Sequence, residues 1–325
     1  MDQLIFFTRE DAWSFAMGEL GALSGIRAAP LAPGAGILSG QADLALRVNG
    51  IRALFIWHIH PVQTHLEKEE ELPKAAGELT ASFEGARIAV HAVDLTGERR
   101  EGALLRLLLE SPALARFLCG PEADFVLSVT RAQSGFYLGF SESRTMLSPR
   151  AGGIYRYAMT PETISRAAFK LTEVFDRIPL ALPDSFEALD LGAAPGGWTR
   201  VLLERGARVT AVDPAELDPR VESDGRVHHY RGLSQEYLKE AGGKTFDLLV
   251  NDMRMDAFES VRVTREALPL LKSGGALVIT LKLPEKGSLK KAREALSRLG
   301  EETRILFARQ LYHNRSEITC VAEKP

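Results

Sequence analysis

Cysteine is scarce in this chain: its 325 residues hold only Cys119 and Cys320. Two thiols so far apart build no disulfide framework and have no metal-ligand spacing, so buried or free thiols in a reducing compartment are expected. Long apolar runs are missing as well. Nothing approaches the roughly 18 residues of a membrane span. Residues 1–10 lack a basic segment followed by a long apolar stretch, so they read as a short strand and not as a signal peptide. A cytoplasmic protein with no membrane partner is the expectation. An excess of basic charge is also absent: 40 Lys and Arg face 43 Asp and Glu, for a net charge of −3. The overall balance therefore does not mark a nucleic-acid binder, and an RNA partner has to be argued from a local site. No fixed-period repeat and no low-complexity block appears.

What is present is ordinary globular composition, 45% hydrophobic and 26% charged, with a length that suits two domains. The stretch 143–161 carries Pro149, Gly152, Gly153 and Pro161 among polar residues without a clear period. It divides the chain into an α+β region (1–148), a linker (149–161) and a C-terminal domain (162–325). In the N-terminal region 4–8, 44–47, 53–58, 87–93, 125–131 and 136–140 read as strands, and 13–23 and 102–116 as helices. The acidic run 67–71 reads as a solvated face or loop. After the linker, short apolar runs alternate with helical stretches. Strands are expected at 188–191, 208–212, 227–230, 246–251 and 276–281, with helices at 197–205, 261–271 and 289–299. Late strands at 305–309 and 317–322 are close enough to form a hairpin, so one of them can run antiparallel. The pattern implies α/β architecture: βαβ units and a mostly parallel sheet.

The densest chemical signal is Asp190-Leu191-Gly192-Ala193-Ala194-Pro195-Gly196-Gly197-Trp198. It ends a strand and opens a helix. Glycine allows a tight turn and close backbone approach to a ligand, and a helix N-terminus offers free N–H groups. About twenty residues on, the second strand ends in Asp213, placed to accept hydrogen bonds from ribose hydroxyls. A dinucleotide fingerprint would need glycine where Ala194 stands, and Pro195 puts a rigid residue where a pyrophosphate wants an open amide. S-adenosyl-L-methionine fits better than a nicotinamide or flavin. A ligand-free structural turn is the weaker alternative.

The same residues carry a family resemblance. The segment 190–199 resembles motif I of the FtsJ-like RNA ribose 2′-O-methyltransferases, whose members use a Lys-Asp-Lys-Glu tetrad. Ser165-Arg166-Ala167-Ala168-Phe169-Lys170-Leu171 makes Lys170 the first lysine, and Val250-Asn251-Asp252-Met253 supplies Asp252. Thr280-Leu281-Lys282-Leu283-Pro284 supplies Lys282, and Arg315-Ser316-Glu317-Ile318-Thr319 supplies Glu317. The segments 281–284 and 308–315 narrow the resemblance to the ribosomal large-subunit RNA methyltransferase M family. That resemblance implies a Rossmann-like methyltransferase sheet with a late antiparallel strand and an N-terminal THUMP-type RNA-binding region. It implies S-adenosyl-L-methionine held by Asp190, Gly192, Ala193, Pro195, Gly196, Gly197, Trp198, Asp213 and Asp252. It also implies 2′-O-methylation of a nucleotide, by family a cytidine, in 23S rRNA or a large-subunit precursor. One departure stands out. The family usually places an acid near the adenine after strand three; here Arg231-Gly232-Leu233-Ser234 occupies that stretch, with Ser234 and Glu236 as the possible substitutes.

Two rival readings follow from the same residues: an RNA-binding assembly factor that keeps the fold without catalysis, and, more distantly, a nicotinamide-dependent oxidoreductase. His58 and His60 lie two apart on an expected strand and share a face. No third ligand is evident beside them, so packing or surface roles are expected and no metal. His228 and His229 are expected to pack at the third strand's end. His313, Asn314 and Arg315, just before Glu317, are candidate active-site or RNA contacts.

Overall fold

The computed structural model describes residues 2–115, 117–119, 123–283 and 288–325. They form two compact units, 1–154 and 155–325.

The N-terminal unit holds two sheets. Strands β1 (Asp2–Phe7), β2 (Arg27–Ala32), β3 (Ala35–Gly40) and β4 (His58–Val62) form the first, in the order β2-β3-β1-β4. Strands β5 (Thr64–Leu66), β6 (Arg87–Asp94), β7 (Leu118–Cys119), β8 (Phe125–Ala132) and β9 (Gly135–Glu142) form the second, in the order β5-β9-β8-β6-β7. Helices α1 (Trp13–Leu20), α2 (Leu44–Gly50), α3 (Leu72–Thr80) and α4 (Glu101–Leu109) accompany them. The core beside the second sheet joins Leu72 and Ala76 of α3 to Leu104 and Leu108 of α4 and to Leu127, Val129 and Leu138. Spacings of four along each helix put those residues on one face, as burial requires.

Several expectations for this unit change. Residues 44–47, expected as a strand, begin α2. Leu44 and Val48 are fully buried one turn apart, and so short an alternation suits either period. Residues 53–57, expected in a strand, are buried and lie outside every strand, although the Trp57 amide donates to the Phe7 carbonyl of β1 at 2.7 Å. The Leu54 and Phe55 amides donate instead to the Glu19 carboxylate at 2.7 and 2.9 Å, and Glu19 is itself buried. Strands β2, β3 and β5 and helix α3 had no clear sequence signal; Pro30 and Pro73 sit inside two of them. The first helix stops at Leu20 and the fourth at Leu109. Arg116, the expected end of that helix, and the side chain of Cys119 lie outside the described residues. The unit boundary falls at 154/155, inside the expected linker, and residues from 155 onward belong to the C-terminal unit.

The C-terminal unit follows the α/β expectation closely. Its elements run α5 (Ala168–Arg177), β10 (Phe186–Leu191), α6 (Gly197–Glu204), β11 (Ala207–Val212), α7 (Pro219–Glu222), β12 (Val227–Tyr230), α8 (Ser234–Glu240), β13 (Phe246–Asn251), α9 (Ala257–Ala267), β14 (Leu271–Lys282), α10 (Ser288–Leu299), β15 (Arg304–Arg309) and β16 (Glu317–Glu323). The seven strands lie in the order β12-β11-β10-β13-β14-β16-β15. Pairings from β12 through β14 are parallel, whereas β16 runs antiparallel to both neighbours. The helix expected over 261–271 starts earlier, where the Asp256 side chain caps it by accepting from the Phe258 amide at 2.9 Å, as N-cap residues do. It gives way to a tighter turn at Leu268–Leu270, which contains Pro269, and β14 begins at Leu271. Leu171, Val174, Ala188, Leu202, Val209, Leu248, Val250 and Val278 meet in one core. Nearly continuous apolar runs such as 248–250 are what a sheet covered on both faces needs. Among the described residues no helix is long and apolar enough to cross a membrane.

Candidate active site

In open α/β sheets ligands meet the carboxyl ends of the strands where strand order reverses. Strand β10 has β11 on one side and β13 on the other, so the reversal lies here. The turn after β10 is built tightly. Gly192 has φ +79° and Gly196 φ +105°, conformations that favour glycine. A Cβ at Gly192 would run into the Met253 side chain, and one at Gly197 into Ser165 Oγ. The Gly192 amide donates to the Val212 carbonyl at 2.9 Å. The Ala194–Pro195 peptide is cis. Asp213, at the end of β11, accepts from the Ala194 amide at 3.1 Å and the Ala215 amide at 2.8 Å. A carboxylate has about four lone-pair sites, so those two bonds leave capacity for a ligand hydroxyl.

Two residues expected to touch a cofactor are turned inward by their side chains. Asp190 is 1% exposed and accepts from Thr199 Oγ1 at 2.7 Å. Burial pushes its pKa up to about 7, with Asp252 and Asp213 adding to the rise against the Thr199 bond. Trp198 is 3% exposed, and its indole N–H donates to the Ala167 carbonyl at 2.8 Å. Their side chains hold α6 and α5 around the turn. Pro195 is exposed at the turn, Gly196 and Gly197 are buried, and the Ala193 side chain packs into the core.

The four charged residues converge beside this turn. Met253, which abuts Gly192, follows directly on Asp252. Lys170 Nζ lies 3.1 Å from both Asp252 oxygens and 2.6 Å from Glu317 Oε1. Lys282 Nζ lies 2.5 Å from Asp252 Oδ1 and 2.5 Å from Glu317 Oε2. The register explains the meeting: Lys282 pairs with Glu317 across β14 and β16, and Asp252 directly follows β13, next to β14. Side-chain exposures are 12% for Lys170, 13% for Asp252, 23% for Lys282 and 8% for Glu317. Lys282 is thus the most solvent-exposed of the four. Burial raises the cost of the Glu317 charge, but Lys282 and Lys170 prevail and hold its pKa down to about 2. Burial likewise works against the Lys170 charge, but Asp252 and Glu317 outweigh it and raise its pKa above the ordinary lysine value.

Supporting residues escape an inspection of sequence alone. Thr280 Oγ1 bridges Asp252 Oδ1 at 2.5 Å and Lys282 Nζ at 2.8 Å; its place two residues before Lys282 on β14 puts both on one face. Asn251 holds the Met253 amide at 3.0 Å and is anchored to Thr264 at 2.9 Å. Glu173, fully buried on α5, pairs with Arg177 at 2.9 Å and accepts from the Tyr312 and His313 amides at 3.2 and 3.4 Å. Burial raises its pKa despite Arg177. Of the loop residues, Asn314 is buried and reaches Glu317 at 3.4 Å. His313 stacks on Tyr157 with ring centroids 5.2 Å apart, and Arg315 is exposed.

At the expected adenine position, Ser234 is buried and directed at Met253 Sδ, 3.5 Å away, while Glu236 caps α8 through the Leu233 amide at 2.9 Å. His229 bridges Glu222 at 3.4 Å and the Asp213 carbonyl at 3.1 Å, which ties down the end of β12; His228 is exposed. Pro284, the last residue of one family-like segment, lies outside the described residues.

Comparison with known proteins finds relatives among RNA methyltransferases. The FtsJ-like methyltransferase family profile matches residues 163–294. The ribosomal RNA large subunit methyltransferase M of Shewanella denitrificans is 34% identical over 195 residues, covering 56% of this chain and 52% of that protein. The protein of the same name from Sodalis glossinidius is 30% identical over 312 residues, covering 87% of this chain and 83% of that one. Several such alignments span only about half the length of the relative, as with Shewanella frigidimarina at 53%. Among solved structures, a fibrillarin/Nop5p complex shares 18% identity with a TM-score of 0.42, covering 53% of this chain and 87% of that chain. On the strength of the near full-length match to the Sodalis protein, this chain belongs to the ribosomal RNA large subunit methyltransferase M family.

Proposed function

We propose that this chain is an S-adenosyl-L-methionine-dependent methyltransferase that modifies a ribose 2′-hydroxyl, by family a cytidine's, in 23S rRNA or its precursor. The observation that carries the proposal is the closed square of Lys170, Asp252, Lys282 and Glu317 beside the glycine turn. Residues of the turn suit the cofactor. Asp213 retains acceptor capacity for ribose hydroxyls, and the first amides of α6 have no intrahelical acceptor. When bound, the cofactor supplies an activated methyl group on a sulfonium.

The chain's own residues then supply alignment and charge. A 2′-hydroxyl is a weak nucleophile, so fixing its oxygen in line with the methyl carbon is the first requirement; alignment can be worth about 7–11 kcal/mol in favourable cases. Lys282, the most exposed of the four, is assigned the contact to the attacking oxygen, where its ammonium stabilises the charge that develops as the hydroxyl proton passes to solvent. Electrostatic stabilisation of that kind is worth roughly 10²–10³-fold. Lys170 stays cationic and pins both carboxylates. Asp252, adjacent to the turn, lines the path between the two substrates. Glu317, held ionised, fixes both lysines.

The N-terminal unit, read as a THUMP-type region, is assigned the RNA. A splayed or single-stranded nucleotide is the reachable target. The intact square favours catalysis over a purely assembly-related role. Incubation of purified protein with tritiated S-adenosyl-L-methionine and unmodified rRNA, followed by nucleoside digestion, tests this reading. Label in a 2′-O-methylated nucleoside is expected. Label only in a base, or RNA binding with no transfer and no cofactor binding, would overturn it.

A further inference from the structure

The N-terminal unit carries a second cluster of chemistry-bearing side chains. His58 and His60 lie on the same face of β4, and His91 on β6 of the other sheet. All three are buried, with exposures of 0%, 1% and 7%. Their rings are neighbours: centroids are 4.7 Å apart for His58–His60, 5.8 Å for His58–His91 and 6.1 Å for His60–His91. One ring nitrogen from each lies within 4.8 Å of the others. Ideal tetrahedral coordination, with zinc–nitrogen bonds of about 2.0–2.1 Å, requires nitrogens about 3.3 Å apart, so a modest inward movement of the rings completes the geometry.

The outer contacts select the nitrogens. His60 Nδ1 pairs with Thr130 Oγ1 at 3.0 Å, while its Nε2 has no hydrogen-bond partner among the described residues. His91 hydrogen-bonds the backbone of Pro149, while its Nδ1 has no such partner. Imidazoles that ligate metals characteristically donate their other N–H to a carbonyl or a similar acceptor, which fixes tautomer and ring orientation.

We propose that His58, His60 and His91 bind one zinc ion, which clamps β4 of the first sheet to β6 of the second. Three imidazoles and no thiolate suit zinc among the abundant metals, and they leave a fourth position for a small ligand. No Asp, Glu or Cys joins the cluster among the described residues. His91 stands far from His60 in the sequence and on a separate strand, so the spacing of His58 and His60 alone does not reveal a third ligand. The expected absence of metal therefore gives way to this proposal. The proposal does not depend on methyl transfer.

The test uses the full chain, stripped with chelator and titrated with Co²⁺ and then Zn²⁺. Saturable binding of one equivalent, with visible absorption typical of low-symmetry cobalt that is quenched by zinc, is expected. Zn²⁺ but not Mg²⁺ should raise the melting temperature. His91→Ala should weaken binding by more than the roughly 10–100-fold typical of lost outer contacts, and Thr130→Val, a milder change, by a factor within that range. Exposed His65→Ala should leave binding unchanged. Absence of saturable binding by the wild-type chain would overturn the proposal. So would wild-type affinity in a folded His91→Ala variant; if that variant does not fold, unchanged affinity in Thr130→Val together with no zinc-dependent melting shift would do the same.

Discussion

Lys170 and Lys282 share both of their anionic partners: each ammonium contacts Asp252 and Glu317 within 3.1 Å. Two cations and two anions in one partly buried square cancel in charge, so the site is preorganised without net repulsion. The arrangement also makes the four residues interdependent, and their substitutions should combine non-additively.

Replacing Asp252 by Ala should remove a partner from both lysines and the acceptor of the Thr280 hydroxyl. Methyl transfer should fall by roughly 10²–10⁴-fold. The double variant Asp252→Ala/Lys282→Ala should be scarcely worse than either single one. Initial rates under saturating cofactor check this; effects that multiply would show that the two residues act independently.

Gly192→Ala should damage the turn from within. Its φ of +79° is strained for alanine, and the new methyl would meet Met253. A loss of about 1–2 kcal/mol is expected from the backbone alone, together with weaker cofactor binding. Denaturant unfolding and calorimetric titration measure the two effects separately.

Glu173→Gln should act at a distance. It leaves Arg177 buried without its counter-charge, and breaking a buried pair costs about 3–5 kcal/mol. It also loosens the Tyr312 and His313 amides that lead to Glu317. Lower stability of the C-terminal unit and slower transfer should appear together, measurable by thermal melting and initial rates. An unchanged melting temperature would contradict the account.

Asp190 gives a pH signature. Its folded pKa of about 7 stands above the ordinary 3.8. Between those two values the folded state holds a proton that the unfolded chain has lost. That contribution to stability is fully present below about pH 3.8 and is lost as pH rises through about 7. Asp190→Asn keeps an acceptor for Thr199 and carries no charge, so it should exceed the wild type in stability at about pH 8 and lose that advantage near about pH 4. Unfolding at the two pH values decides it; equal differences at both would contradict the assignment.

The C-terminal fold was legible because hydrophobic period, glycine turns and strand-end acids agree along 186–323. Asp252 and Lys282 could be placed on one edge because each stands at the carboxyl end of an expected parallel strand. Lys170 and Glu317 needed the family resemblance, since a helix before the sheet and an antiparallel strand after it bring them in by tertiary packing. Thr280, Asn251 and Glu173 were invisible for the same reason: a threonine, an asparagine or a glutamate in an apolar stretch signals nothing until its partners are known. In the N-terminal unit, Glu19 replaces ladder bonds for Leu54 and Phe55, and no local pattern announces a substitution of that kind.

The central claim is that Lys282 meets the attacking ribose oxygen. It is tested most directly by comparing Lys282→Ala with wild type in single-turnover methyl transfer to rRNA, with S-adenosyl-L-methionine affinity measured in parallel. Transfer should fall by at least about 100-fold while cofactor affinity stays within a few-fold of wild type. Wild-type transfer by the Lys282→Ala protein would contradict the account.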